Sequence, residues 1–342
     1  MIPRTDPSWQ GESTLSWQEQ LQKAVTSPEQ LLKYLNLSPN LLPAAKLAMQ
    51  QFPLKVPHAF IDLMEKGNPD DPLLRQVLPI QEELIAKTGY STDPLIEQNN
   101  QHAGLIQKYR GRVLLLVNGH CAVNCRYCFR RHFPYEENRL SKTEWLDVIQ
   151  QIRADETIEE VIYSGGDPLA SNDRQLTWLT EQMAEIAHLK RLRIHSRLPV
   201  VLPDRITKDC LSWLTQHRLQ TVFVLHINHP NEISPGLRKA VDQLRQSGIT
   251  VLNQAVLLKG VNDTVDILKK LSQDLFASGI LPYYLHLLDP VAGATHFDIP
   301  LTKAQALHKA LLDEISGYLV PKLVREVAGE KSKTAMNTTT QF

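Results

Sequence analysis

Residues 112–128 read Arg-Val-Leu-Leu-Leu-Val-Asn-Gly-His-Cys-Ala-Val-Asn-Cys-Arg-Tyr-Cys, an apolar run that breaks at Asn118-Gly119 and leads straight into three cysteines. A short apolar, β-branched run ended by turn residues is the pattern of a buried strand, here 113–117. The same rhythm recurs downstream, with further strands expected at 161–164, 192–196, 222–227, 251–256 and 283–288. Between them, 204–217, 235–246, 264–277 and 303–318 show the apolar spacing of helices. Alternating strands and helices predict an α/β fold around a parallel sheet. Six strands predict a partial, TIM-like (βα)6 barrel rather than a closed barrel of eight. Chemistry in such barrels collects at the carboxyl ends of the strands. The polar residues obey that rule: the cysteines follow the first strand, Gly165-Gly166-Asp167 the second and Arg197 the third. His226 and His229 end the fourth, and Asp289 follows the sixth.

Outward from this core, residues 1–107 read as short helices broken by prolines, with Ser27-Pro28-Glu29-Gln30 as one capped helix start. The barrel core is expected over 108–329. Residues 330–342 make a short C-terminal segment whose polar end, 337–340, is expected to be poorly ordered. The chain has 342 residues, 42% of them hydrophobic, which suffices for one large core with an added segment. Lys+Arg and Asp+Glu balance at 37 each, so no net charge favours nucleic acid or an anionic membrane. Residues 1–10 lack a signal-peptide run, and no stretch approaches the roughly 20 apolar residues of a membrane span. These features point to a cytoplasmic protein with a small-molecule partner.

Four cysteines, three of them within eight residues, fit a ligand cluster in a reducing compartment better than a disulfide framework. Cys210 reads as a buried structural thiol. Cys121, Cys125 and Cys128 supply three thiolates where structural zinc would want four ligands, and His120 or His132 could complete such a site. A 4Fe-4S cube held by three cysteines instead leaves one iron open to a small chelating ligand. That arrangement, with Tyr127 before the last cysteine, resembles the radical S-adenosylmethionine superfamily. In that superfamily the cluster is expected to break the sulfonium of S-adenosylmethionine. Ser164-Gly165-Gly166-Asp167 is expected to hold its methionine end, the glycines by close backbone approach and the carboxylate by accepting from the ammonium.

A lysine in Gly329-Glu330-Lys331-Ser332-Lys333-Thr334 would alone read as a surface residue in a tail. Together with Cys-Arg-Tyr-Cys-Phe-Arg-Arg at 125–131, Ser-Gly-Gly-Asp-Pro-Leu at 164–169, Arg-Ile-His-Ser-Arg-Leu-Pro-Val-Val-Leu-Pro at 193–203, His-Ile-Asn-His-Pro-Asn-Glu at 226–232 and Pro-Tyr-Tyr-Leu-His-Leu-Leu-Asp at 282–289, it resembles the lysine 2,3-aminomutase family over about 68–334. The stretch 67–79 and the short C-terminus look most like the bacterial branch that makes (R)-β-lysine for elongation factor P.

The resemblance implies a radical isomerase that moves the 2-amino group of L-lysine to carbon 3, with a 4Fe-4S cluster, S-adenosylmethionine and pyridoxal 5'-phosphate as cofactors. It implies Lys333 as the pyridoxal lysine, with Lys331 a rival, and Tyr109 and Arg112 near the cofactor phosphate. Arg130 would take the substrate carboxylate, and Asp289 with Glu326 the far ammonium, although aspartate is usual at the position of Glu326. His226, His229 and Gln254 would line the adenosyl or pyridoxal pocket. An electron donor such as flavodoxin or ferredoxin, elongation factor P and its lysine ligase are the implied partners. Another substrate, such as glutamate or a lysine inside a protein, and a non-enzymatic zinc or iron-sulfur module are the competing readings. Two carboxylates at the far end would repel glutamate.

Overall fold

The computed structural model describes residues 15–98 and 103–336, so residues 1–10 and the tail at 337–340 lie outside the described residues. Nine strands form one sheet in chain order, β1 to β9. Its centre is the expected set: β2 (Arg112–Asn118), β3 (Glu160–Gly165), β4 (Arg191–Ser196), β5 (Gln220–Leu225), β6 (Thr250–Val256) and β7 (Leu281–His286), all parallel to one another. Three strands were not expected. β1 (Leu105–Tyr109) runs antiparallel to β2, β8 (Lys322–Arg325) extends the parallel sheet, and β9 (Thr334–Ala335) folds back antiparallel on β8. The two edges do not meet, so the barrel is open, as a partial barrel requires.

Among the expected helices, Pro235–Gln246 and Val265–Ala277 form, and 303–318 becomes Leu301–Glu314 followed by a 3-10 turn. The segment 204–217 splits, because Thr207 caps the amide of Cys210 and starts a new helix over Lys208–Thr215 after the turn Pro203–Arg205. Two more crossover helices, Lys142–Ala154 and Asp173–Ala184, were not expected. Ser141 and Glu144 close a capping box on the first and Asn172 caps the second.

Period-two geometry divides each strand between two environments. Val161, Tyr163, Leu192, Ile194, Phe223 and Leu225 are buried in the main apolar core. At about 1.5–3 kcal/mol for each large apolar side chain removed from water, this layer fixes the sheet. The alternate residues, among them Arg193, His195, Gln254, Tyr284 and His286, line a cavity of about 270 Å³ in the barrel. The N-terminal region packs against the cysteine loop: the amide of Arg126 donates to Gln76 O at 2.9 Å, and that of Asn124 to Lys55 O at 3.0 Å. No helix among the described residues is long and apolar enough to cross a membrane.

Candidate active site

The loop after β2 lies against the end of β3, and two glycines make that approach possible. Gly165 has φ +122°, and a Cβ there would stand 2.4 Å from Asn118 O; a Cβ on Gly166 would stand 2.7 Å from His120 O. The amides of Gly166 and Asp167 donate to Asn118 O and His120 O at 2.6 and 2.9 Å. The glycines thus bring two chain segments together, one of which carries Cys121. Tyr135 Oη donates to Gly165 O at 2.8 Å. The carboxylate of Asp167, expected to accept from a ligand ammonium, accepts instead from Ser196 Oγ (2.8 Å) and from the amides of Arg197, Leu198 and Leu169 (2.9, 2.9 and 3.0 Å). Occupied by four donors, it fastens the β3 loop to the β4 loop while Asp167 still lines the cavity.

Cys121, Cys125 and Cys128 all line the same cavity and are unpaired. Among the described residues no three His, Cys, Asp or Glu side chains converge on a point suited to a single metal ion. Three thiols on one wall without a fourth ligand suit a multi-iron cluster, in which each thiolate takes its own iron. Neither histidine of the zinc reading joins them: His120 is exposed, and the His132 ring bonds Ala292 O at 3.1 Å. Burial, with the neighbouring thiols, pushes the Cys128 thiol up to about 11 and Cys121 well above the ordinary thiol range. A positively charged cluster would supply the stabilisation those thiolates lack. Cys210 is fully buried in the helix Lys208–Thr215, away from this wall.

The N-terminal region holds the cysteine loop through Glu83 and Gln76, which no motif marks. Fully buried Glu83 accepts from Arg126 Nε (2.8 Å) and Nη2 (2.5 Å) and from Arg131 Nη2 (2.8 Å), so one carboxylate pins arginines on either side of Cys128. Arg197 donates to Cys125 Sγ at 2.7 Å, to Tyr127 Oη, to Gln76 Oε1 at 2.7 Å and to Glu232 Oε2 at 3.1 Å. Nothing in periodicity could have paired residues so distant in the chain.

The hairpin of β8 and β9 brings the C-terminal residues to the cavity. Val324 pairs with Ala335 and Arg325 with Thr334, which places Glu326 and Lys333 side by side, Nζ to Oε2 at 2.8 Å. Lys331 is exposed and takes no part in the cavity. Burial works against the charge on Glu326, but Lys333 and Lys108 outweigh it and hold this carboxyl well below the usual range. Asp289 differs. Its Oδ1 is buried without a hydrogen-bond partner, and burial, reinforced by Glu326 and opposed by Lys333 and Lys108, pushes its pKa from the ordinary 3.8 to about 7. An unsatisfied buried carboxylate costs about 1–3 kcal/mol or more. That makes it a ready acceptor for an incoming cation.

Arg130 is buried, with Nη1 3.3 Å from Ser164 Oγ and Nε on Glu97 Oε2 at 2.6 Å. Arg112 stacks on the Tyr109 ring at 4.5 Å at the β1–β2 edge of the cavity. His226 Nε2 bonds Gln254 Nε2 at 3.0 Å on the cavity wall; burial, then Arg197, Lys333 and Arg130, lower this histidine to about 3, so the ring is neutral. His229 is not on the wall. Its Nδ1 accepts from the amide of Asn231, a capping role. His195 and His286, not singled out from sequence, also line the cavity, each with an unpartnered Nε2. Their signal was present as polar residues two apart on one strand, Arg193-x-His195 and Tyr284-x-His286.

The cavity therefore joins three thiols suited to a cluster, a lysine, two carboxylates and an arginine. The model of the radical SAM superfamily matches residues 115–271. The chain is 51% identical over 322 residues to the L-lysine 2,3-aminomutase of Escherichia coli, covering 94% of both chains. It is 52% identical to the L-lysine 2,3-aminomutase of Haemophilus influenzae over 93% of this chain and 95% of that one. It is 34% identical to that of Acetoanaerobium sticklandii over 93% of this chain and 77% of the relative. With its thiols, glycine turn and lysine hairpin arranged around one cavity, the chain belongs to the L-lysine 2,3-aminomutase family, isomerases of the radical S-adenosylmethionine superfamily that use a 4Fe-4S cluster and S-adenosylmethionine.

Proposed function

We propose that the protein converts L-lysine to β-lysine by moving the 2-amino group to carbon 3, with pyridoxal 5'-phosphate carried on Lys333. The observation that carries this reading is Lys333 and Glu326 facing Asp289 in the cavity that also holds Cys121, Cys125, Cys128 and Arg130. Held by Cys121, Cys125 and Cys128, a cluster with S-adenosylmethionine would supply radical chemistry, and pyridoxal phosphate on Lys333 would supply a π-system conjugated to the substrate nitrogen.

The residues of the chain do the binding and orienting. With pyridoxal phosphate held on Lys333, Glu326 Oε2 would lose its present partner and would be open to the far ammonium of the substrate. Asp289, with an unpartnered oxygen, supplies the second anion. Arg130 takes the carboxylate, since a buried charge left unpaired in a closed site is costly. Arg112 and Tyr109 suit the cofactor phosphate, the guanidinium as a fork of donors. Neutral His226 with Gln254 offers hydrogen bonds to the adenosyl or pyridoxal group without adding charge.

An anaerobic assay of reconstituted protein with dithionite, S-adenosylmethionine, pyridoxal phosphate and L-lysine is the test. The expected product is β-lysine, and the absence of any β-amino acid would overturn the reading. We further assign the enzyme to the cytoplasm, with a flavodoxin or ferredoxin as reductant and with (R)-β-lysine passing to the lysine ligase that modifies elongation factor P. What supports this last step is the likeness of residues 67–79 to that bacterial branch.

A further inference from the structure

Arg130 and Glu326 stand at opposite ends of an unbroken chain of alternating charge. Arg130 donates to Glu97 through Nε at 2.6 Å and Nη2 at 3.1 Å. Lys108 Nζ then meets Glu97 Oε1 at 2.7 Å and Glu326 Oε1 at 2.9 Å. Glu97 and Lys108 have no part in the function argued so far. Yet Glu97 is 4% exposed, an uncommon place for a carboxylate from a loop. Burial would raise its pKa, and Arg130 and Lys108 outweigh burial to hold it below the ordinary range.

The local backbone is built to turn Glu97 inward. The carboxylate of Asp93 accepts from the amides of Glu97 and Gln98, both at 2.9 Å. The residue before it, Ile96, is 64% exposed and takes φ 54°, a left-handed conformation that a β-branched side chain resists. Such strain persists only where the surroundings over-determine it, and it clusters at functional sites. Lys108 reaches the same point from β1, beside the Tyr109–Arg112 stack.

We propose that Glu97 and Lys108 are positioning residues that fix the spacing between Arg130 and Glu326, and so the length of amino acid that the cavity accepts; this rests on the diamino-acid reading above. Glu97 occupies the Nε and Nη2 edge of the guanidinium and sets its plane, so that Nη1, 3.3 Å from Ser164 Oγ, is the nitrogen left to reach a ligand with its second proton. Lys108 ties that carboxylate to Glu326, so the two ends of the site are joined by short ion pairs rather than held by independent flexible side chains. Lys333 covers the second oxygen of Glu326 and would give it up on holding a cofactor, whereas Lys108 would stay and keep Glu326 in place.

The test loads the chain with pyridoxal phosphate and omits S-adenosylmethionine, so that binding is read without turnover. Ornithine, lysine and homolysine are titrated calorimetrically into the wild type and into Glu97→Gln and Lys108→Met. The wild type is expected to prefer lysine. Both variants are expected to bind lysine more weakly, and their preference over the shorter and longer homologues falls roughly tenfold. Lys108→Arg, able to keep both ion pairs, recovers the preference. Equal weakening toward all three ligands, as a purely structural role would give, or an unchanged preference for lysine overturns the proposal. A wild type that binds none of the three overturns it together with the diamino-acid reading. Should Glu97→Gln fail to show a cooperative melt, Lys108→Met, on the edge strand, gives the same readout.

Discussion

Asp289 is the residue at which burial, charge and function meet most sharply. Its pKa, raised from 3.8 to about 7, means that below neutral pH it is a carboxylic acid and cannot pair with an ammonium. Under the proposed function, lysine affinity is expected to rise as pH increases through 7, and upward of that once Lys333, one of the groups that hold the value down, carries the cofactor. For stability the sign follows from linkage. The folded pKa lies above the unfolded one, so the contribution of Asp289 is fully present below about pH 4 and is lost as pH rises to about 7. Asp289→Asn removes both dependences. The melting temperature of the cofactor-free variant should gain on the wild type between pH 4 and 7, while lysine binds roughly 30-fold more weakly, an effect of about 2 kcal/mol for a lost buried charge partner. A wild-type affinity flat from pH 6 to 8 would contradict this assignment. Residue types were legible from sequence here, but their directions were not. Asp167 and Asp289 both end strands, yet one carboxylate is occupied by four donors and the other has a bare oxygen. Only tertiary packing decides which.

At the scale of elements, the turn after β3 has a packing role that the Gly-Gly-Asp motif alone did not reveal. Gly165 was expected to let backbone approach a ligand; its contact is with Asn118 O, in the loop that leads to Cys121. Gly165→Ala must relieve a 2.4 Å clash with backbone and a φ of +122° at once, at a cost of about 3 kcal/mol. The expected outcome is a lower denaturant midpoint together with reduced iron retention after reconstitution, with helix content unchanged by circular dichroism. Full iron retention would show that the loop is not held from this side. The central strands were legible because runs such as Val113 to Val117 are apolar and end in turn residues. β8 and β9 were not, since β8 is only Lys322–Arg325 with a charge at each end, and β9 is two residues whose pairing partner is set by the hairpin rather than by local propensity. Glu97 escaped for a related reason: the left-handed turn at Ile96 that points it inward leaves no periodic trace.

Across the whole molecule, the N-terminal region, the barrel and the C-terminal hairpin each supply one wall of a single cavity. Glu83 and Gln76 hold the cysteine loop, β2 to β7 supply the lining, and the hairpin brings Lys333 and Glu326. The barrel and its cysteines could be read from the sequence because each is local, whereas the walls meet through contacts between residues dozens to hundreds of positions apart. Under the proposed function, the radical source and the amino-acid site share this one chamber, and a radical would pass to the bound amino acid. Electron paramagnetic resonance of samples freeze-quenched during anaerobic turnover tests this directly, with unlabelled and uniformly ¹³C-labelled lysine compared. The expected result is an organic radical whose spectrum broadens with the labelled substrate. A radical indifferent to the label, or none while S-adenosylmethionine is consumed, would contradict the account.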